Sequence, residues 1–346
     1  MSTLLAAPML LVLVASCDDR TEALALIERL GGRYYVDPVK SGKPLVYVAM
    51  SNVGSDGEGL KCLGAFPELR ELDLKDLEDA DRQLIHLKGL SQIRELNLDR
   101  SSLSDAGMKH LGGLIGLETL TFGSTAVGDE GLQHLKGLKN LRWLEFGANR
   151  RITDAGLASV RDLTQLRRLY LFRTGVTDAG LTHLERLTEM RMLMLPEGVT
   201  DAGLEHLRGM TKLEFLEVTD SPITDRGVSV LTKMKDLNAL YLINTQIGDN
   251  GLESIGHLKR LKVLNLSGSK ITDAGVRHLE GLVELENLVL EHTAISDAGL
   301  ISLCQLKSLS WVFLTGTRVT EAGVKELQKK LPNLRTDFHR KPGQVL

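Results

Sequence analysis

A pattern of 24 residues recurs along most of this chain, and it restricts the possible fold more than any other feature. Within residues 261–284, Leu264 and Leu266 are two positions apart, as on one face of a strand. After the tetrapeptide TDAG, Val276, Leu279 and Leu282 have the spacing of one helix face. Each unit is therefore predicted to be a short strand, a turn and a helix. The units begin at Leu45, Leu69, Ile93, Leu117, Leu141, Leu166, Met190, Leu213, Leu237, Leu261, Leu285 and Leu309, and a partial unit begins at Leu334.

Stacking of these units determines the predicted architecture. One unit cannot bury its own apolar side, so neighbouring units must pack into a continuous core. Strands about 4.8 Å apart would form a curved parallel sheet roughly 50 Å long. The bulkier helices then lie on the convex side, and the strands line the concave side. Repeats can be added without dividing a domain, so residues 45–338 are predicted to form one domain of about 12 repeats.

Polar residues recur at fixed positions of the unit, and each position has a structural interpretation. A hydroxyl such as that of Ser269 can satisfy backbone groups where the strand ends. An acid such as Asp273 can cap the following helix, and Gly275 indicates a close approach of two backbones. The alternatives are a nucleophile column and a metal-binding column. A recurring His, such as His278, is interpreted as convex-face packing rather than a metal ligand, because Val230 interrupts that column.

The concave side is where a binding function is expected. Residues on either side of the second Leu of each strand point away from the core, and polar side chains are expected there. Instead, aromatic and Met side chains are concentrated at these positions and at the next outward position, which usually indicates an interaction site. The alternatives are that they shield the sheet or that a dimer covers them. The predicted partner-binding residues are Trp143, Tyr170, Phe172, Met192, Met194, Phe215, Tyr241, Trp311 and Phe313.

The repeated run T-D-A-G-L-x-x-L-x-x-L-x-x-L-x-x-L-x-L-x-x-T-x-V resembles the leucine-rich repeats of bacterial tandem-repeat proteins. It is also similar to the repeat arrays of eukaryotic F-box/leucine-rich-repeat proteins. The resemblance covers about residues 45 to 335. It implies an α/β fold, a right-handed leucine-rich repeat solenoid shaped like a horseshoe, with a role in protein binding. An alternative function is an intracellular adaptor similar to the substrate-recognition subunit of an F-box-type ubiquitin ligase.

The N-terminal residues predict export. Residues 4–16 form an apolar run that is shorter than the ~20 residues a membrane span needs, so residues 1–17 are predicted to be a signal peptide. The sequence Val14-Ala15-Ser16-Cys17 resembles a bacterial lipobox, with Cys17 as the lipidated residue. The predicted location is therefore the cell envelope, with a lipid anchor as the only membrane contact. A secreted or a cytoplasmic protein is the alternative.

The remaining segments and residue types predict a non-catalytic scaffold. Residues 18–44 are interpreted as an N-terminal capping helix, Thr21 to Leu30, followed by a connection, and residues 339–346 as a C-terminal tail. The net charge of −3 does not favour nucleic acid. Cys62 and Cys304 lie too many repeats apart to pair, so no disulfide framework is expected. Phosphate-binding glycine loops, HExxH and GxSxG are absent, and no catalytic residue, metal or cofactor is predicted.

Overall fold

A computed structural model describes residues 19–40, 44–54 and 57–337. It contains a single sheet whose 14 strands follow one another in chain order. The first two strands pair antiparallel, and all later neighbours pair in parallel. This arrangement confirms the predicted solenoid fold. The strands are β1 (Arg33–Val36), β2 (Leu45–Ala49), β3 (Glu71–Asp73), β4 (Glu95–Asn97), β5 (Thr119–Thr121), β6 (Trp143–Glu145), β7 (Arg168–Tyr170), β8 (Met192–Met194), β9 (Phe215–Thr219), β10 (Ala239–Ile243), β11 (Val263–Asn265), β12 (Asn287–Val289), β13 (Trp311–Phe313) and β14 (Arg335–Asp337).

The core lies between the sheet and the convex elements, and the middle residue of each repeat strand points into it. Leu216 is 0% exposed, and it is in register with Leu193 on one side and Leu240 on the other. Its two neighbours in β9, Phe215 and Glu217, are only half-buried because successive side chains of a strand point to opposite faces. The predicted strand register is therefore correct.

The convex elements are shorter than the predicted helices. Most are a single α-helical turn, and several continue as 3-10 turns such as Arg277–Leu279, which follows α11. Leu279 and Leu282 therefore enter the core from a 3-10 turn and the irregular chain after it, rather than from one continuous helix. The helices are α1 (Arg20–Arg29), α2 (Glu58–Lys61), α3 (Ala80–Gln83), α4 (Asp105–Met108), α5 (Asp129–Leu132), α6 (Asp154–Leu157), α7 (Asp178–Leu181), α8 (Asp201–Glu205), α9 (Asp225–Val228), α10 (Asp249–Ile255), α11 (Asp273–Val276), α12 (Asp297–Leu303) and α13 (Glu321–Lys330).

The Asp column joins neighbouring repeats instead of capping its own helix. In α11 the cap is the preceding Thr272, whose hydroxyl accepts from the backbone N–H of Ala274. Asp273 reaches into the next repeat: its Oδ1 accepts the backbone N–H of Ser296 at 2.7 Å, and its Oδ2 accepts the Ser296 hydroxyl at 2.6 Å. The interpretation of Asp as the cap is wrong, because the residue before it occupies the N-cap position, with a Thr or Ser hydroxyl in most repeats and a Gly before Asp129 and Asp249. The same Asp-to-next-repeat bonding recurs at Asp129, Asp154, Asp178, Asp201, Asp249 and Asp297.

This carboxylate also explains the glycine column. A Cβ placed on Gly299 would lie 2.6 Å from Oδ1 of Asp273, well inside van der Waals contact. The predicted close approach is present, but its nearest partner is the Asp side chain of the preceding repeat. The hydroxyl column has the predicted structural role. Ser269, for example, is buried and donates to the Leu266 carbonyl at 2.6 Å, at the end of its own strand.

The N-terminal end of the solenoid differs in two ways from the sequence interpretation. Asp19, not Thr21, caps α1 by accepting from the backbone N–H of Thr21. Residues 34–44 are not simply a connection, because β1 adds an antiparallel edge strand to β2. Within the described residues, no helix is long and apolar enough to cross a membrane. The predicted signal peptide 1–17, Phe338 and the tail 339–346 lie outside the described residues.

The cysteines correct a further expectation. Cys62 is buried and disulfide-bonded, although no disulfide was predicted. Cys304 is half-buried and carries a free thiol. The third cysteine of the chain, Cys17, lies outside the described residues.

Candidate partner-binding face

The concave face is built by the residues on either side of the buried middle position of each strand. All nine predicted partner-binding residues point to this face and are half-buried. Six of them belong to the consecutive strands β6 to β10, and the seventh, Phe172, lies two positions after the end of β7. We call these seven the central aromatic patch: Trp143, Tyr170, Phe172, Met192, Met194, Phe215 and Tyr241.

Rings on neighbouring strands contact one another within this patch. The Trp143 and Tyr170 rings meet edge to face, with centroids 6.2 Å apart, and the Phe215 and Tyr241 rings lie 5.3 Å apart. Register places Met192 beside Phe215, so the two methionines of β8 lie between these ring pairs. The Arg168 guanidinium lies 5.0 Å from the centre of the Trp143 ring, within cation–π range. The patch is therefore one continuous surface across five strands.

Phe172 takes part in this surface because a glycine leaves space beneath it. A Cβ placed on Gly147 would overlap the Phe172 ring, so the ring lies directly over the backbone of the preceding repeat. The indole N–H of Trp143 is buried and has no hydrogen bond of good geometry with the described residues. Its interaction with the neighbouring Glu145 carboxylate lowers the pKa of that carboxyl group.

Trp311 and Phe313 form a separate group. Their rings stack with centroids 5.7 Å apart, and the Arg335 guanidinium lies 5.3 Å from the Trp311 ring centre. Strands β11 and β12 separate this pair from Tyr241. The residues that β11 and β12 place on this face are Val263, Asn265, Asn287 and Val289. The predicted residues are therefore brought together as two groups rather than one.

An acidic hollow adjoins the central aromatic patch on its N-terminal side. It encloses about 300 Å³ between β2 and β6. The site predicted from the sequence did not include these acidic strands, and it missed Tyr47. The signal was available, because Val48 continues the buried column and so Tyr47 must face outward. The polar and aromatic lining residues are Tyr47, Glu71, Asp73, Glu95, Asn97, Asp99, Thr119, Thr121, Trp143 and Glu145.

Partial burial and crowding perturb the carboxyl groups of this face. Burial raises the pKa of Glu145, and the charge of Asp99 raises it further. Burial likewise raises the pKa of Glu217 in β9. The pKa of Glu95 is raised by desolvation of its carboxyl group and then by the charges of Glu71 and Glu118, although the residue as a whole is exposed. The face therefore carries carboxylates whose charge is poorly compensated.

The His column lies on the opposite side of the molecule. Burial lowers the pKa of His110, and the adjacent Lys109 adds to this effect. His206 lies 2.7 Å from a Glu185 carboxylate oxygen, in the preceding repeat. In the part of the chain that the structure describes, no three His, Cys, Asp or Glu side chains come together in a way that could hold a metal ion.

Comparisons with known proteins agree with this fold. A family model described as Leucine Rich repeat matches residues 209–231 and 257–279. An internalin from Listeria monocytogenes has a similar structure, with a TM-score of 0.67 and 19% identity over 93% of this chain and 96% of that one. A leucine-rich repeat protein from Leptospira interrogans has a TM-score of 0.52 and 20% identity over 80% of each chain. No curated protein matches the sequence.

Proposed function

We propose that this leucine-rich repeat protein is a non-catalytic scaffold that binds a protein partner on its concave face. The observation that carries the proposal is the central aromatic patch, where half-buried aromatic and Met side chains contact one another across five consecutive strands. Core packing does not account for them, since the middle residue of each strand fills the core. Contiguous apolar surface of this kind favours burial by a partner, and aromatic residues dominate binding energy at such interfaces.

The test compares two double variants, one on the concave face and one on the convex face. Tyr170→Ala with Phe215→Ala truncates the concave patch. Val283→Ala with Ile301→Ala removes two convex side chains that are 61% and 72% exposed. Binding is measured by interferometry against partners selected from a displayed protein library with the wild-type protein. Truncation of an interface aromatic typically costs about 2 kcal/mol or more, so the concave variant is expected to lose binding and the convex variant to keep it.

Two outcomes would contradict the proposal. Equal binding by both variants would place the interface elsewhere. Alternatively, the wild-type protein could sediment as a dimer and the Tyr170→Ala, Phe215→Ala variant as a monomer. This result would mean that a second copy of the chain, and not another protein, covers the patch. Melting temperatures of the variants within a few degrees of wild type are the control, because neither pair of side chains lies in the buried core.

We also propose that the protein is exported and anchored by lipid on Cys17. The sequence pattern Val14-Ala15-Ser16-Cys17 supports the anchor. The disulfide at Cys62 supports export to an oxidising compartment, where such bonds persist, but it does not support the lipid anchor. The two chemistries are exclusive if they use the same sulfur, because a thioether to lipid leaves no thiol for a disulfide.

Intact mass measurement under non-reducing conditions distinguishes them. A lipid adduct on a chain that begins at Cys17, found in the membrane fraction and absent from Cys17→Ser, is the expected result. A soluble chain lighter than its reduced form by two hydrogens, with Cys17 and Cys62 in one linked peptide pair, would replace the anchor by a disulfide in an exported protein. A chain that keeps Met1 and is reduced would favour the intracellular adaptor alternative.

A further inference from the structure

Two carboxylates border the middle of the central aromatic patch in the same column of the sheet. Register aligns Glu145 of β6 with Tyr170, Tyr170 with Met194, and Met194 with Glu217 of β9. Glu145 and Glu217 are therefore three strands apart, with one aromatic and one Met side chain between them. At about 4.8 Å for each strand, their backbones are separated by roughly 14 Å. This separation is too great for both groups to hold one metal ion, so each carboxylate would need its own cation.

Neither carboxylate has a cationic partner among the described residues. Their polar neighbours are neutral: the Thr219 hydroxyl is 3.5 Å from Glu217, and the Trp143 indole interacts with Glu145. Arg168, the cation of the neighbouring strand β7, lies over the Trp143 ring instead of pairing with Glu145. Carboxylates that immediately precede the strands behave differently, because they are paired with Arg or Lys of an adjacent repeat. These strand-start pairs are Glu118–Arg142, Glu214–Arg191 and Glu286–Lys262.

An extended peptide has a side-chain spacing that fits this arrangement. Every second side chain of an extended chain points to the same side, and each residue advances the chain by about 3.4 Å. Side chains at positions i and i+4 therefore lie on the same side, about 13.6 Å apart, close to the separation of Glu145 and Glu217. The side chain at i+2 then falls between Tyr170 and Met194. Side chains that project from a concave surface converge slightly, and the long, flexible side chains of Lys and Arg can adjust to the shorter distance between the two carboxylates.

We propose that the concave face binds an extended peptide segment with Lys or Arg at positions i and i+4 and an apolar residue at i+2. The segment runs across strands β6 to β9, along the solenoid axis. Its two cations pair with Glu145 and Glu217, and its apolar side chain packs on Tyr170 and Met194. The acidic hollow beside Glu145 extends this charge complementarity, so further basic residues of the segment would lie towards β3. This inference rests on the proposed function and specifies the chemistry of its partner.

The probes are fluorescent heptapeptides with Ala at all other positions. One has Arg at i and i+4 with Phe at i+2. The second has the same composition with the arginines at i and i+3, which places them on opposite sides of an extended chain. The third has Glu in place of Arg. Fluorescence anisotropy is measured with wild-type protein, Glu145→Gln and Glu217→Gln. The matched control is Glu286→Gln, at the start of β12.

We expect the i,i+4 peptide to bind at least about tenfold more tightly than the i,i+3 peptide, and the Glu peptide not to bind. Glu145→Gln and Glu217→Gln should each remove this preference, and Glu286→Gln should leave it unchanged. Equal binding of the two Arg peptides, or an unchanged preference in both concave variants, would overturn the proposal and leave only non-specific attraction of positive charge. The scaffold proposal is tested separately, by the binding of the Tyr170→Ala, Phe215→Ala variant to the selected protein partners. Failure of the peptide proposal can therefore be distinguished from failure of the scaffold proposal.

Discussion

The contact between Asp273 and Gly299 allows the stacking of neighbouring repeats to be tested by a double-mutant cycle. Asp273→Ala removes two hydrogen bonds to the next repeat and leaves the Ser296 N–H without its acceptor. It also removes a negative charge from the first turn of α11. Hydrogen bonds to a charged group contribute about 1.5–3 kcal/mol each when buried. Because Asp273 is only half-buried, we expect a total loss of about 2–4 kcal/mol of unfolding free energy.

Gly299→Ala alone should also destabilise the protein. Its new Cβ would lie 2.6 Å from Oδ1 of Asp273, and overpacking of this kind typically costs about 1–3 kcal/mol. Replacing Gly by Ala inside a helix offsets roughly 1 kcal/mol of that loss. In the Asp273→Ala background the next nearest atom is the Cα of residue 273, at an ordinary contact distance of 3.4 Å. Gly299→Ala should then be neutral or stabilising, so the two substitutions should couple by about 2 kcal/mol.

Urea denaturation followed by circular dichroism measures all four proteins of the cycle, with unchanged m values as the check that unfolding remains comparable. Gly137→Ala is the control glycine, since it is exposed and its new Cβ would have no atom within 4 Å. Asp273→Asn keeps an acceptor for the Ser296 N–H and should lose less than Asp273→Ala. If the effects of Asp273→Ala and Gly299→Ala add to within about 0.5 kcal/mol, the carboxylate is not what excludes a side chain from the glycine column.

Three further outcomes follow from burial and charge. Leu216→Ala should cost about 2–5 kcal/mol in urea denaturation and Phe215→Ala much less, because only Leu216 is fully buried; the reverse order would mean that the strand register is wrong. The pKa of His110, measured by proton NMR, should lie below 6.5. The contribution of neutral His110 to stability should therefore be fully present above about pH 6.5 and decline as the pH falls through the folded-state pKa. Glu145 has a raised folded-state pKa, so its carboxyl disfavours folding increasingly as the pH rises from about 4.5 through that pKa. Glu145→Gln should therefore be more stable than wild type at pH 7, and this advantage should vanish below about pH 4.

The sequence predicts the strands and their register because burial alternates with period two at every repeat. Leu216 lies in the core, and Phe215 lies outside it, as the pattern requires. The bond from Asp273 to Ser296 could not be predicted in the same way. Its partners are 23 residues apart, and local spacing indicates only helix capping. Strand β1 was missed because its sequence, RYYV, shows no repeat and no clear apolar alternation.

The candidate site was predicted only in part, for a related reason. The outward direction of each aromatic residue follows from its place in the strand, so the nine residues were assigned to one face correctly. Their grouping depends on which strands are neighbours. Trp311 and Phe313 are separated from the central aromatic patch because β11 and β12 carry smaller side chains on this face. The pairing of Glu145 and Glu217 as two ends of one column becomes visible only when the strands are placed in register.

The difference between the inward and outward columns is the physical reason to look for function on the concave face. The inward column is almost entirely Leu, because each residue must fill the same space between two identical neighbours. Stacking does not constrain the outward-facing position that precedes each inward residue in the strand, so unlike side chains occupy it in different repeats. These side chains are Glu71, Glu95, Thr119, Trp143, Arg168, Met192, Phe215, Ala239, Val263, Asn287 and Trp311. Small polar residues at this outward position would be sufficient for folding. Large rings on an open sheet face instead expose apolar surface to water, which is unfavourable unless a partner covers them.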